Sequence, residues 1–145
     1  MVQFAEFCRY NGFETSRECE IDELKFPIDP TPYPRDPRSQ PIAPGISDGG
    51  YVYVRDGTGT IYVVPDGPHL HPKVLGRGDP AMYAGDLTIR GGNVADLTNL
   101  SGTFEFDDES GLLEVAKQIA IQGVAVQSGA VRFFPPDGSR PVVLN

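Results

Sequence analysis

The run SDGGYVYVRDGTGTIYVVPDG, from Ser47 to Gly67, constrains the fold more than any other part of the chain. Residues 51–54 and 61–64 are unbroken runs of β-branched and aromatic side chains, which suit a pleated strand. Asp56-Gly57-Thr58-Gly59 between them supplies the residues of a hairpin turn. Neither run alternates with polar residues. Strands apolar on both faces lose least when both faces are covered, so this hairpin is expected to be buried. Pro65 and Gly67-Pro68 end the second strand.

A second hairpin reads from Ala84 to Arg90, turns at Gly91-Gly92-Asn93 and returns from Val94 to Leu100. Leu87 and Ile89 share one face of it, and Asp86, Thr88 and Arg90 share the other. A helix follows over 108–122. Asp107, Asp108, Glu109 and Ser110 offer capping oxygens and negative charge at its start, and Gly123 is a natural left-handed stop. Leu112, Leu113, Val115, Ala116, Ile119 and Ala120 form its apolar stripe. Val124–Val126 and Val131–Phe134 read as strands around a Ser128-Gly129 turn, and Pro141–Leu144 as an edge strand. The expected fold class is α+β: a mostly antiparallel sheet built from hairpins, with one main helix packed on it. The expected core holds Val63, Leu87, Ile89, Leu97, Leu113, Val115, Ala116, Ile119 and Val131.

At 145 residues the chain is read as a single domain, 1–145, with three parts. In the N-terminal segment, 1–26, Phe4, Phe7, Cys8, Tyr10 and Phe13 have helix-like spacing that Asn11-Gly12 interrupts, which predicts a short helix. Residues 27–47 carry Pro27, Pro30, Pro32, Pro34, Pro37, Pro41 and Pro44, which exclude a helix or a central strand and leave an extended arm. An arm packed on its own domain is favoured over a polyproline ligand for another protein, because Asp29, Tyr33, Arg35 and Asp36 break any regular motif. The α+β core occupies 48–145.

The net charge of −8 argues against nucleic-acid binding, which needs cations to displace phosphate counterions. It suits a soluble protein with a protein partner of basic character, although solubility alone also accounts for it. Cys8 and Cys19, the only cysteines, make neither a disulfide framework nor a zinc motif. The start MVQFAEFCRY has no signal-peptide pattern, and no apolar stretch is long enough to span a membrane. A cytoplasmic protein with no membrane association and no cofactor is expected.

His69 and His71 are the only histidines. On an extended segment they would project to the same side, with Asp66 or Asp79 as a third metal ligand. A loop histidine held by hydrogen bonds is favoured over that, and no metal is expected. LGRGDPAMYAGDL is neither a dinucleotide fingerprint nor a phosphate loop, and its Arg77-Gly78-Asp79 tripeptide is short enough to arise by chance. Ser101-Gly102 lacks the spacing of a serine-hydrolase elbow. Capping explains the acidic cluster of Glu105, Asp107, Asp108 and Glu109 better than cation binding does. Ile121-Gln122 lacks the basic residues of a calmodulin-binding IQ motif.

Across residues 71–123 the order His71, Leu75, Gly78, Ala84-Gly85-x-Leu87, a glycine turn, Ser101-Gly102 and a capped helix resembles a known module. That module is shared by plant IQ-motif calmodulin-binding proteins and the C-terminal domains of some bacterial polymorphic toxins. Its pattern runs H-x3-L-x2-G, then A-G-x-L, then S-G-H-Y-x-P. This chain departs from it with Thr103-Phe104 in place of His-Tyr and Phe106 in place of Pro. The resemblance implies the hairpin-then-helix order and a pocket lined by His71, Tyr83, Ser101 and Thr103. It names no reaction. Two functions are therefore expected as alternatives. One is a binding or regulatory protein acting on a basic protein partner. The other is a toxin-like effector enzyme with His71 and Ser101 as its candidate catalytic residues and Tyr83 and Thr103 as ligand-binding residues. The sequence leaves open whether the chain is an enzyme.

Overall fold

The computed structural model describes residues 7–10, 13–16, 35–67, 71–76, 79, 81–101 and 106–145. Strands β1 (Phe7–Tyr10) and β2 (Phe13–Ser16) pair antiparallel with Tyr10 opposite Phe13. The helix expected there is therefore replaced by a hairpin. Only Asn11-Gly12 separates the paired residues, and this dipeptide is the strongest short hairpin signal a sequence carries, so it outweighs the spacing of the aromatics.

Among the described residues the main sheet has seven strands: β3 (Gln40–Pro41), β4 (Gly49–Asp56), β5 (Ile61–Pro65), β6 (Ala81–Arg90), β7 (Asn93–Thr98), β8 (Val131–Phe133) and β9 (Val142–Val143). Their spatial order is β3-β5-β4-β6-β7-β8-β9. Both expected hairpins form, β4 with β5 and β6 with β7, and β4 and β6 join them at the centre. The fold is α+β with a mostly antiparallel sheet. The exception is β7 with β8, which run parallel, Leu97 opposite Val131. Parallel neighbours need a long crossover, and helix α2 (Glu109–Ile121) lies in it. This corrects the third hairpin expected around Ser128-Gly129: Val126 makes only a single parallel bridge to Val94.

A second helix, α1 (His71–Leu75), forms where the sequence suggested a loop histidine. A proline in the first turn of a helix removes only an N–H that has no intrahelical partner, so Pro72 is compatible with it. These two helices, α1 and α2, cover opposite faces. Along β6, Tyr83, Gly85 and Leu87 alternate with Ala84 and Asp86. Tyr83 meets the start of α2, donating its hydroxyl to the Asp108 carbonyl at 2.8 Å. His71 at the start of α1 meets Asp86. That arrangement explains why Tyr51, Val52, Tyr53 and Val54 are all buried.

Helix α2 is capped as its sequence suggests. The Asp108 carboxylate accepts from Gly111 N at 2.7 Å. At the other end Gly123 N bonds Ala120 O and Val124 N bonds Ile119 O, with Gly123 at φ 94°, the paired bonds of a Schellman stop. Its core side is Leu112, Val115 and Ile119. Leu113, expected in the core, is 38 % exposed, and Ala116 is partly buried. The other expected core residues are buried.

Gln122 fastens the helix end to the sheet. Its side-chain oxygen accepts from Ile61 N at 2.8 Å, and its amide nitrogen donates to the Ile42 and Ile61 carbonyls. Residues 35–47 of the proline-rich stretch run along this edge. Ile42 is buried, and Asp36 N donates to the Lys73 carbonyl of α1.

Candidate functional site

His71 opens α1 and turns its ring onto the centre of β6. Its Nε2 lies 2.9 Å from the Gly85 carbonyl. A carbonyl only accepts, so Nε2 carries the proton and Nδ1 is bare in the neutral ring. The side chain is 13 % exposed. Burial pushes its pKa below the ordinary 6.5, against the opposing pull of the Gly85 carbonyl and the charge of Asp66. The ring is therefore neutral at pH 7, and the 3.7 Å approach of Nε2 to Asp86 Oδ1 is not an ion pair there.

Asp86 is the most perturbed carboxylate described. Its pKa rises from 3.8 to about 6, first because the group is partly buried and then because Asp66 and Asp96 lie near it. Asp96 has its own cation. Arg132 donates to both its oxygens, Nε to Oδ1 at 2.6 Å and Nη2 to Oδ2 at 2.8 Å, and the guanidinium lies over the Phe134 ring at 5.2 Å. Among the described residues Asp86 has no cation, and the neutral His71 is its nearest ionisable partner of the other type. Its side chain remains 43 % exposed, so this cost is borne on a surface that solvent or a partner can reach.

Of the residues the sequence singled out, Tyr83 lies on the opposite sheet face from His71. Its ring stacks on Phe106 with centroids 4.8 Å apart, and it packs so closely under α2 that a Cβ on Gly111 would lie 2.4 Å from it. Ser101 lines a pocket of about 250 Å³ together with Asn99, Leu100, Phe106 and Asp107, closed by Phe134, Pro135 and Pro136. His71 is not among the described lining residues. The three expected pocket residues that are described, His71, Tyr83 and Ser101, therefore do not meet in one place. Tyr83 backs the pocket wall through Phe106, Ser101 lines the pocket, and His71 belongs with the carboxylate of Asp86. Thr103 and His69 lie outside the described residues, as does Glu105. Asp79 is exposed. Among the described residues no three His, Cys, Asp or Glu side chains gather as a metal site would.

The pocket is held by a residue the sequence did not flag. Asn99 is 6 % exposed. It donates to the carbonyls of Phe106 and Phe134, each at 3.0 Å, and accepts from Phe134 N at 2.7 Å. One amide thus ties the loop before α2 to the segment after β8. Gly85 of the Ala84-Gly85-x-Leu87 element explains how the chain reaches this place. The Thr98 carbonyl lies over it, where a Cβ would sit 1.9 Å away, and Tyr53 donates its hydroxyl to the same carbonyl at 2.7 Å. Only glycine admits that crossing. The signal for Asp86 was present in the sequence, since alternation along β6 puts it on the polar side. The signal for Asn99 was not, because its partners are backbone groups, which no side-chain pattern marks, and those of Phe134 are distant in the chain.

No family model, no curated protein and no solved structure matches the chain. Among the described residues no helix is long and apolar enough to cross a membrane.

Proposed function

We propose that this protein is a small acidic binding or regulatory protein that acts through a surface on a basic protein partner, in the reducing setting of the cytoplasm. The observation that carries the reading is Asp86. It is a half-exposed carboxylate beside Asp66 and Asp96, and it is held in a place that disfavours its charge. Asp96 is neutralised by Arg132, and Asp86 has no cation of its own among the described residues. Groups that cost stability in the free protein are expected where binding needs them. A lysine or arginine brought to this face would relieve the repulsion, and the overall charge of −8 would steer such a partner in. The test is capture from the native cell at low ionic strength, with identification of what elutes. The reading expects a basic protein that leaves as salt rises to physiological strength. Retention of no basic protein, or retention indifferent to salt, refutes it.

A second reading, the toxin-like effector enzyme, is favoured by one detail. His71 is neutral with Nδ1 unprotonated and lies 3.7 Å from a carboxylate, as a base and its neighbour would. If expression harms a host cell, His71→Ala is expected to relieve the harm. Full toxicity from a folded His71→Ala protein removes His71 from any mechanism.

A further inference from the structure

The pocket between Asn99 and Pro136 combines three properties. It is small: about 250 Å³ lies below the ~300–1,000 Å³ that cofactors and drug-sized ligands occupy, and it suits a single side chain. Its two described flanks are tied together, because Asn99 bonds both of them and Phe106 is stacked on Tyr83. Among its described lining residues Leu100, Phe134, Pro135 and Pro136 give it apolar wall beside the polar Asn99 and Ser101, and the one carboxylate among them, Asp107, has no hydrogen bond or ion pair among the described residues.

We propose that this pocket anchors one lysine side chain of the basic partner, an inference that rests on the binding reading above. The four-carbon stem of lysine covers apolar surface while its compact ammonium seeks a point charge. Phe134 and the prolines offer the first, and Asp107 the second. Two nearby positive features do not oppose it. Arg132, over the Phe134 ring, is neutralised by Asp96. The partial positive charge of the α2 N-terminus is met by the Asp108 cap, with Glu109 in the first turn and Asp107 ahead of it adding further negative charge.

The experiment is an NMR titration of the full chain with Nα-acetyl-lysine N-methylamide, with the uncharged isostere Nα-acetyl-norleucine N-methylamide, and with putrescine, all at fixed low ionic strength. The lysine compound is expected to shift the amide signals of Leu100, Ser101, Asp107 and Phe134. It should bind at least about threefold more tightly than norleucine, the scale of a half-exposed ion pair. Asp107→Asn is expected to remove that difference and leave the norleucine affinity unchanged. Absence of localised shifts, equal binding of lysine and norleucine, or an unaltered difference in Asp107→Asn overturns the proposal. Tighter binding of putrescine than of the lysine compound overturns it in favour of a site for free amines. The double variant Asp66→Asn/Asp86→Asn separates this proposal from its parent. It should weaken association with a polycation and leave the lysine titration as it was, so each idea fails by its own readout.

Discussion

Replacing Asp86 with asparagine should make the protein more stable, and only at the pH values where Asp86 is ionised. The group titrates at 3.8 in an unstructured chain and at about 6 in the fold. Its folded pKa is raised, so the fold prefers the protonated form. Its favourable contribution is complete below 3.8 and is lost as pH rises through about 6. The gap between the two values corresponds to an upper limit of about 3 kcal/mol at 1.36 kcal/mol per pH unit. A side chain 43 % exposed is screened by water, so about 1 kcal/mol is the reasonable expectation. Asn has nearly the same shape and carries no charge, so Asp86→Asn should recover that amount at pH 7.5. In a domain of this size that is a rise in Tm of about 3–5 °C. At pH 4 the two proteins should melt nearly together. Thermal denaturation of both, followed by circular dichroism at several pH values, measures it. A variant that is less stable at pH 7.5, or equally shifted at pH 4 and 7.5, would show that Asp86 is held by favourable contacts rather than against its charge.

The other predictions concern the pieces that position the two sites. Asn99→Ala should cost about 3 kcal/mol, because it leaves the Phe134 N–H and two carbonyls without their partner, and urea denaturation should show a lower midpoint at an unchanged slope. Gly85→Ala should cost more than about 3 kcal/mol, since the added carbon meets the Thr98 carbonyl at 1.9 Å and the obstacle is backbone, and a Tm within a few degrees of the parent would contradict the crossing described. Leu112→Ala should lose about 2–5 kcal/mol and Leu113→Ala less than about 1, a contrast that fixes the rotational phase of α2. His71 should show the Nε2–H tautomer at pH 7 in long-range nitrogen–proton spectra and should titrate below 6.5. Because its folded pKa is lowered, the stability it contributes is present above 6.5 and is lost as pH falls through the folded value.

How much of this was legible in the sequence depended on how local each signal is. The β4–β5 and β6–β7 hairpins were legible because strand residues and turn residues adjoin in the chain, and α2 because its caps do. The phase of α2 was ambiguous. Leu112, Val115 and Ile119 interleave with Leu113, Ala116 and Ala120, and both stripes are apolar. The β7–β8 pairing was illegible because nothing local tells a parallel partner reached through a helix from an antiparallel one reached through a turn. His71 is conspicuous in the sequence, but its setting is not. The flanking prolines suggest a loop, whereas His71 opens a helix and its partner is the backbone carbonyl of Gly85, which no side-chain pattern announces. Asn99 escaped for the same reason.

The most direct test of the binding reading uses a defined polycation. Fluorescein-labelled octalysine, titrated with the full chain and followed by anisotropy, reports association whatever the natural partner is. The account predicts binding at low ionic strength that falls steeply towards physiological salt, and a further loss of at least about threefold in Asp66→Asn/Asp86→Asn. Glu114→Gln, on the exposed side of α2 where Glu114 is engaged with Lys117, should lose much less per charge removed. Equal losses from charges removed at either place would show that net charge alone attracts the probe, and would contradict a binding surface centred on Asp86.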